Sequence, residues 1–371
     1  MKEQNNGYAP HSGGVAARLN ELTLKNNIPV AVTIELTRRC PLACAHCYLP
    51  ETRGRSRAAA GRELTTPQWK KILERLAEAG AVYLVFTGGE PLLRPDLAGL
   101  CAYAKKLNFD VRLYSSGLGL TRVLAAALKK AGVSSVELSV YGRPATHDRI
   151  TGCKGSFLRT KAAAKLLKRT GITVKLKTPL MKSNFGEAAW LLRLAKELDC
   201  ESALDPVLSP GNDGNRDNLR LRLDKKELAA VVELLEKNGP RAAYRASRTA
   251  PRASRLAPLA PSHASRAPSL DFFCGAGRNV AAVDPYGDLS PCLQLPVKLG
   301  NVLQTPLMIL WKSSPWLKKW RALKTGDLKE CRNCANLSIC NRCPGVSLLE
   351  EGDVLVPNEP ACEMAELKAK G

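Results

Sequence analysis

The sequence predicts an α/β fold: a partial (β/α)6 TIM-like barrel followed by a small, cysteine-rich region organised by metal. Three observations carry that prediction. Between residues 29 and 240, short apolar runs alternate six times with amphipathic helical stretches. The first run leads into a cysteine cluster, where an open nucleotide-binding sheet would carry a G-x-G-x-x-G fingerprint. Seven of the thirteen cysteines then fall between residues 274 and 362, in a loop-rich stretch with little long periodicity.

The elements follow in order. VAVTIELT (30–37) reads as the first strand and TPQWKKILERLAEAG (66–80) as the helix after it, ending on glycine. AVYLVFTGG, FDVRLYSS, SSVELSVYG, ITVKLKTPL and ESALDPVL supply the other five strands. PDLAGLCAYAKKL, TRVLAAALKKAG, SFLRTKAAAKLLKRTG, EAAWLLRLAKELD and DKKELAAVVELLEKNG supply the helices. The strands are apolar enough to be covered on both faces, as parallel strands are. The chain therefore divides into an N-terminal extension (1–28), a core domain (29–240), an Ala/Arg/Pro-rich linker or insertion (241–270) and the cysteine-rich domain (271–371). At 371 residues there is length for one large and one smaller core.

Composition narrows the class. No run approaches the ~20 apolar residues that cross a bilayer. The start, MKEQNNGYAP, is too polar for a secretion signal, so a cytoplasmic protein is expected. In a reducing compartment clustered cysteines read as metal ligands rather than bridges. The net charge of +22 raises the question of nucleic acid, but aromatics are only 5% and offer no stacking platform. Six arginines without an acid fall in residues 241–268 alone. The charge reads as solvation, with an acidic partner as the alternative.

The chemistry begins at CPLACAHCY (40–48), which offers three thiolates and no fourth. Three thiolates on a [4Fe–4S] cube leave one iron open to a small molecule. The amino and carboxylate groups of S-adenosylmethionine (SAM) suit that position, and one electron from the cluster can then break a sulfonium C–S bond. Cys40-x3-Cys44-x2-Cys47 followed by Tyr48, in a loop after the first strand, resembles the signature of the radical SAM superfamily. VFTGGEP (85–91), closing the second strand, resembles that family's GGE motif. The alternative is a fragment of a zinc site. The resemblance implies that Cys40, Cys44 and Cys47 hold the cluster and that Glu90 helps hold the SAM ammonium. Gly88 and Gly89 would let the backbone approach the ligand. It also places Tyr48, Ser116 of the SSG turn (115–117) and Ser139 near SAM, with Lys177 and Asn184 at the same end of the barrel. Each of these could instead be a satisfied loop polar group.

The downstream run Cys274, Cys292, Cys331-x2-Cys334-x5-Cys340-x2-Cys343 and Cys362 resembles a SPASM domain, which carries two auxiliary [4Fe–4S] clusters. The family usually has three residues where this chain has two, between Cys340 and Cys343. The resemblance implies an outer cluster on Cys331, Cys334, Cys340 and Cys362. It implies an inner one on Cys274, Cys292 and Cys343, giving three clusters in all. No further cysteine lies between Cys274 and Cys292, so the inner cluster has an open iron or a non-cysteine ligand, with Asp284 or Asp288 the nearest carboxylates. Gly287 fits a hairpin turn delivering Cys292. A zinc-ribbon pair is the alternative. Cys101 and Cys200 read as buried small hydrophobes. Cys153, in the loop after the fourth strand with His147 and Asp148, is a candidate to act on substrate.

The expected function is radical modification of a ribosomally made peptide or protein. A tetrapyrrole or other small molecule is the alternative, and a basic iron–sulfur or zinc protein binding nucleic acid is the non-enzymatic one. The missing inner cysteine argues against the sulfatase-maturing type. About 28 residues before the first strand are too few for a leader-binding domain, which calls for a separate recognition protein or none. A flavodoxin- or ferredoxin-type electron donor is implied.

Overall fold

The structure, a computed structural model, describes residues 15–49, 63–238 and 274–370. The linker expected at 241–270 lies outside the described residues. Six strands run parallel and neighbour one another in chain order: β1 (Ala31–Glu35), β2 (Tyr83–Thr87), β3 (Asp110–Ser115), β4 (Val133–Ser139), β5 (Thr173–Pro179) and β6 (Glu201–Asp205). Sequential parallel order with a helix at each crossover is the partial (β/α)6 barrel that the alternation predicts. Between the strands lie α2 (Thr66–Glu78), α3 (Leu97–Lys106), α4 (Arg122–Lys130), α6 (Ser156–Arg169) and α7 (Ala188–Glu197), and α8 (Lys225–Asn238) follows β6. Every residue of β1 is buried, as for a strand covered on both faces.

Three features differ from expectation. The extension before β1 contains a helix, α1 (Val15–Lys25), whose Asn20 accepts a 2.9 Å hydrogen bond from the Asn279 amide. The loop expected after β4 is largely a helix, α5 (Pro144–Thr151), which is short enough for its pattern to be lost beside the α6 repeat. The cysteine-rich region does not build a separate core. Its strand β7 (Val280–Val283) pairs parallel with β1 and continues through β8 (Asp288–Ser290) and β9 (Gly300–Asn301), so one nine-stranded sheet runs through both regions. Trp311 and Trp320 are buried in the same apolar cluster as Ile34 and Phe86, and Trp311 donates its indole N–H to Asn27 O. Helices Leu307–Ser313, Pro315–Ala322, Pro344–Glu351 and Glu359–Lys370 replace much of the expected loop. Among the described residues no helix is long and apolar enough to cross a membrane.

Candidate active site

The loop after β1 is fastened on every side. Glu63 accepts hydrogen bonds from the Thr37 hydroxyl at 2.7 Å and the Arg38 amide at 2.8 Å. Gly89 N donates to Thr37 O at 2.7 Å and Glu90 N to Arg39 O at 2.8 Å, locking the end of β2 against the approach to Cys40. Further on, Ala43 N and Ala45 N donate to Thr151 O and Ile150 O at the end of α5, and Asn212 N donates to Tyr48 O. Cys40, Cys44 and Cys47 are thus set on a rigid turn at the carboxyl end of the sheet, where βα-barrel sites are built.

The two glycines of the GGE motif have a packing reason as well. A Cβ on Gly89 would lie 2.2 Å from Arg39 O, and one on Gly88 2.4 Å from Thr37 O. Their lack of a side chain lets β2 press against the cysteine loop itself, backbone on backbone. Gly88 also holds φ +130, a conformation side chains resist.

Glu90 is fully buried, and its carboxylate accepts from Leu92 N at 3.1 Å, Ser115 Oγ at 2.7 Å, Ser116 N at 2.8 Å and the Ser116 hydroxyl. These four donors fill the lone-pair sites of a carboxylate. The structure therefore brings together the GGE and SSG motifs through one buried acid. Burial pushes the Glu90 carboxyl up, with the serine hydrogen bonds opposing. Tyr48 donates to Glu35 Oε1 at 3.0 Å, and Arg38 pairs with the same carboxylate at 2.9 Å. Ser139 hydrogen-bonds the hydroxyl of Tyr141, which in turn bonds Cys44. Tyr141 is buried between His46, ring centroids 4.7 Å apart, and His147, stacked at 5.3 Å. Sequence reading missed Tyr141 and Glu63. The aromatic two residues beyond Ser139, the polar end of β4, was the available signal for the first, and Glu63 left none.

The thiols fall into three sets by which charges reach one another. Burial first, then the neighbouring thiols, push Cys44 up to about 12; burial does the same for Cys40, with Glu90 and Cys47 adding to it. Cys274, Cys292 and Cys343 form a second set, with Cys274 pushed up to about 12 and Cys292 to about 11, chiefly by burial. Cys331, Cys334, Cys340 and Cys362 form a third, in which burial pushes Cys362 up to about 11. Such thiols are neutral without metal and release protons on binding it. Among the described residues, no three Cys, His, Asp or Glu side chains converge on one ion-sized point. Thiolate sulfurs are the ligands that iron–sulfur clusters take.

Other candidates take structural places. Asp148 caps α6, accepting from Phe157 N and Ser156 Oγ, each at 2.9 Å. Asn184 is buried and spends its amide on Met181 N, Tyr141 O and Pro179 O. Lys177 lies over the Tyr114 ring. Cys153 accepts from Arg159 Nη2 at 3.0 Å. Cys101 is buried and Cys200 half-buried. Asp284 organises the β7–β8 hairpin by accepting from Tyr286 N and Asp288 N at 2.9 Å, and Asp288 accepts from Asn301 at 2.9 Å. Cys343 lies 3.5 Å from Gln294 Oε1, and the Asp205 charge at the end of β6 reaches it. A cleft of about 210 Å³ joins the first two cysteine regions, lined among others by Glu35, Arg38, Tyr48, Asp284, Asp288 and Cys292.

Residues 34–195 match the radical SAM superfamily, and residues 274–344 match an iron–sulfur cluster-binding domain, SPASM. A PqqA peptide cyclase of Streptomyces rochei is 32% identical over 91% of this chain and 90% of its own length. An AdoMet-dependent heme synthase of Methanosarcina barkeri is 28% identical over 91% and 97%. Among solved structures, Streptococcus suis SuiB bound to S-adenosylmethionine superposes with a TM-score of 0.67 at 19% identity, over 93% of this chain and 80% of that one.

Proposed function

The chain belongs to the radical SAM superfamily, and on that premise we propose that it modifies a ribosomally made peptide or protein. Cys40, Cys44 and Cys47 hold the cluster that binds SAM, while Cys274, Cys292 and Cys343, and Cys331, Cys334, Cys340 and Cys362, hold the auxiliary ones. When bound, the cluster and SAM supply a 5′-deoxyadenosyl radical able to take hydrogen from carbon. The protein's own part is positional. The loop bonds of Glu63, Gly89 and Glu90 fix the triplet. The Ser116 hydroxyl is the donor that Glu90 can exchange for the SAM ammonium.

The observation that carries the substrate class is the similarity to PqqA peptide cyclases, which extends over nine-tenths of this chain. The heme synthase relative keeps tetrapyrrole modification as the second reading. A cytoplasmic location, a flavodoxin- or ferredoxin-type donor and a separate leader-recognition protein complete the proposal.

The test is anaerobic incubation of reduced holoenzyme and SAM with the peptide encoded by a short reading frame beside the gene. A SAM-dependent change in peptide mass or stereochemistry is expected. Turnover of an iron-bound or metal-free tetrapyrrole, with the peptide left untouched, would overturn the peptide reading.

A further inference from the structure

Gln294 joins a cysteine of the inner set to the loop that follows β6. The Cys343 thiol donates to Gln294 Oε1 at 3.5 Å, and Gln294 Nε2 donates to Ser209 Oγ at 3.1 Å. Both ends are held. A Cβ on Gly345, at the start of helix Pro344–Glu351, would lie 1.8 Å from Gln294 O, so the Gln294 backbone rests directly on the turn that carries Cys343. Ser209 O accepts from Asn218 Nδ2 at 2.9 Å. The two carboxylates of the neighbouring hairpin are spent elsewhere, Asp284 on Tyr286 N and Asp288 N, and Asp288 on Asn301 and Lys298.

A cysteine that binds iron gives up its proton and its sulfur becomes an acceptor only. A carboxylate in place of the Gln294 amide would then face it as a second anion. An amide has a donor at one end and an acceptor at the other, and a half-turn about its last torsion exchanges them. The Ser209 hydroxyl donates as readily as it accepts. The same two contacts therefore survive loss of the thiol proton with their direction reversed, Nε2–H to the Cys343 sulfur and Ser209 O–H to Oε1.

We propose that Gln294 is a positioning residue of the inner cluster, donating a hydrogen bond to the Cys343 thiolate that favours the reduced cluster. The inference rests on the assignment of Cys343 to that cluster made above. Reduction adds one electron, taken from dithionite in the test, and makes or breaks no bond. The added negative charge spreads onto the ligand sulfurs, so a donor there stabilises the reduced form more than the oxidised one.

The test compares reconstituted wild type, Gln294→Met and Ser209→Ala by iron count and by EPR-monitored dithionite titration. Gln294→Met is unbranched like glutamine and has no donor. In it, reduction of the cluster that Cys343→Ala removes becomes about fivefold less favourable, about 41 mV for a one-electron couple, while the other two clusters stay in place. Ser209→Ala keeps the donor but frees its other end, and shifts the same cluster by less. Proton ENDOR of the reduced protein gives a readout that packing alone does not move: one coupling that exchanges in deuterium oxide is present in wild type and missing in Gln294→Met. Full iron with an unmoved potential, a shift shared by all three clusters, or identical exchangeable couplings in the two proteins overturns the proposal. If Gln294→Met loses iron, Ser209→Ala decides, and an unmoved potential there overturns it. A wild type without a third cluster contradicts the assignment of Cys343 itself, whereas three clusters with unmoved potentials contradict only the role of Gln294.

Discussion

The two cysteine-bearing regions are built by opposite means. The triplet sits on a turn pinned by long-range bonds from β2, α5 and the 206–221 loop, all carried by a buried parallel sheet. The outer set sits on successive short turns, Cys334 N to Cys331 O, Leu337 N to Cys334 O and Cys340 N to Leu337 O, each closing over three residues. Its ties to residues further along are the Lys329–Asp353 ion pair, the Arg342 bonds to Val354 O and Val356 O, and the contact of Cys340 with Ala361 O on the helix carrying Cys362. The first region is shaped before metal arrives, so it can leave one corner of a cluster free without losing its form. The second depends on metal to hold it.

That contrast can be broken at several points. Cys44→Ala should abolish 5′-deoxyadenosine formation from SAM while about 8 of ~12 irons remain, as iron analysis would show. Loss of all iron in that variant would mean that the two regions are not independent. Removing metal with a chelator should strip hydrogen-exchange protection from residues 331–343 while β1 to β5 keep theirs. Equal loss in both regions would contradict a preshaped triplet. Gly89→Ala should lower the unfolding free energy by about 3 kcal/mol, because the added methyl meets a carbonyl that is itself pinned. A variant as stable as wild type in urea would show that the loop gives way.

The smallest effect concerns His147, buried beside Tyr141, which burial pushes down from 6.5 to about 4. The unfolded chain takes a proton below 6.5 that the folded one refuses. Stability is therefore whole above that value and lost as pH falls toward 4. Between pH 6.5 and about 5 the loss is about 2 kcal/mol, and His147→Phe should flatten that slope in urea titrations. An unchanged slope would mean that the imidazole finds water.

Much of this was legible in the sequence because it rests on period and spacing. The six strand–helix alternations survive in the structure, since apolar runs covered on both faces have few other solutions. The GGE–SSG connection was legible only as two motifs, and the buried Glu90 bonds that join them are a tertiary fact. Helix α5 escaped because eight residues carry too little pattern. The pairing of β7 with β1 escaped because four apolar residues, VAAV, fit any buried strand and do not name a neighbour.

The central claim is that three pinned thiolates leave a cluster corner where SAM binds and is cleaved. Anaerobically reconstituted, dithionite-reduced protein should change its EPR spectrum when SAM is added and then release 5′-deoxyadenosine. A protein that holds its full iron yet gives the same spectrum with and without SAM, and no 5′-deoxyadenosine, would contradict it.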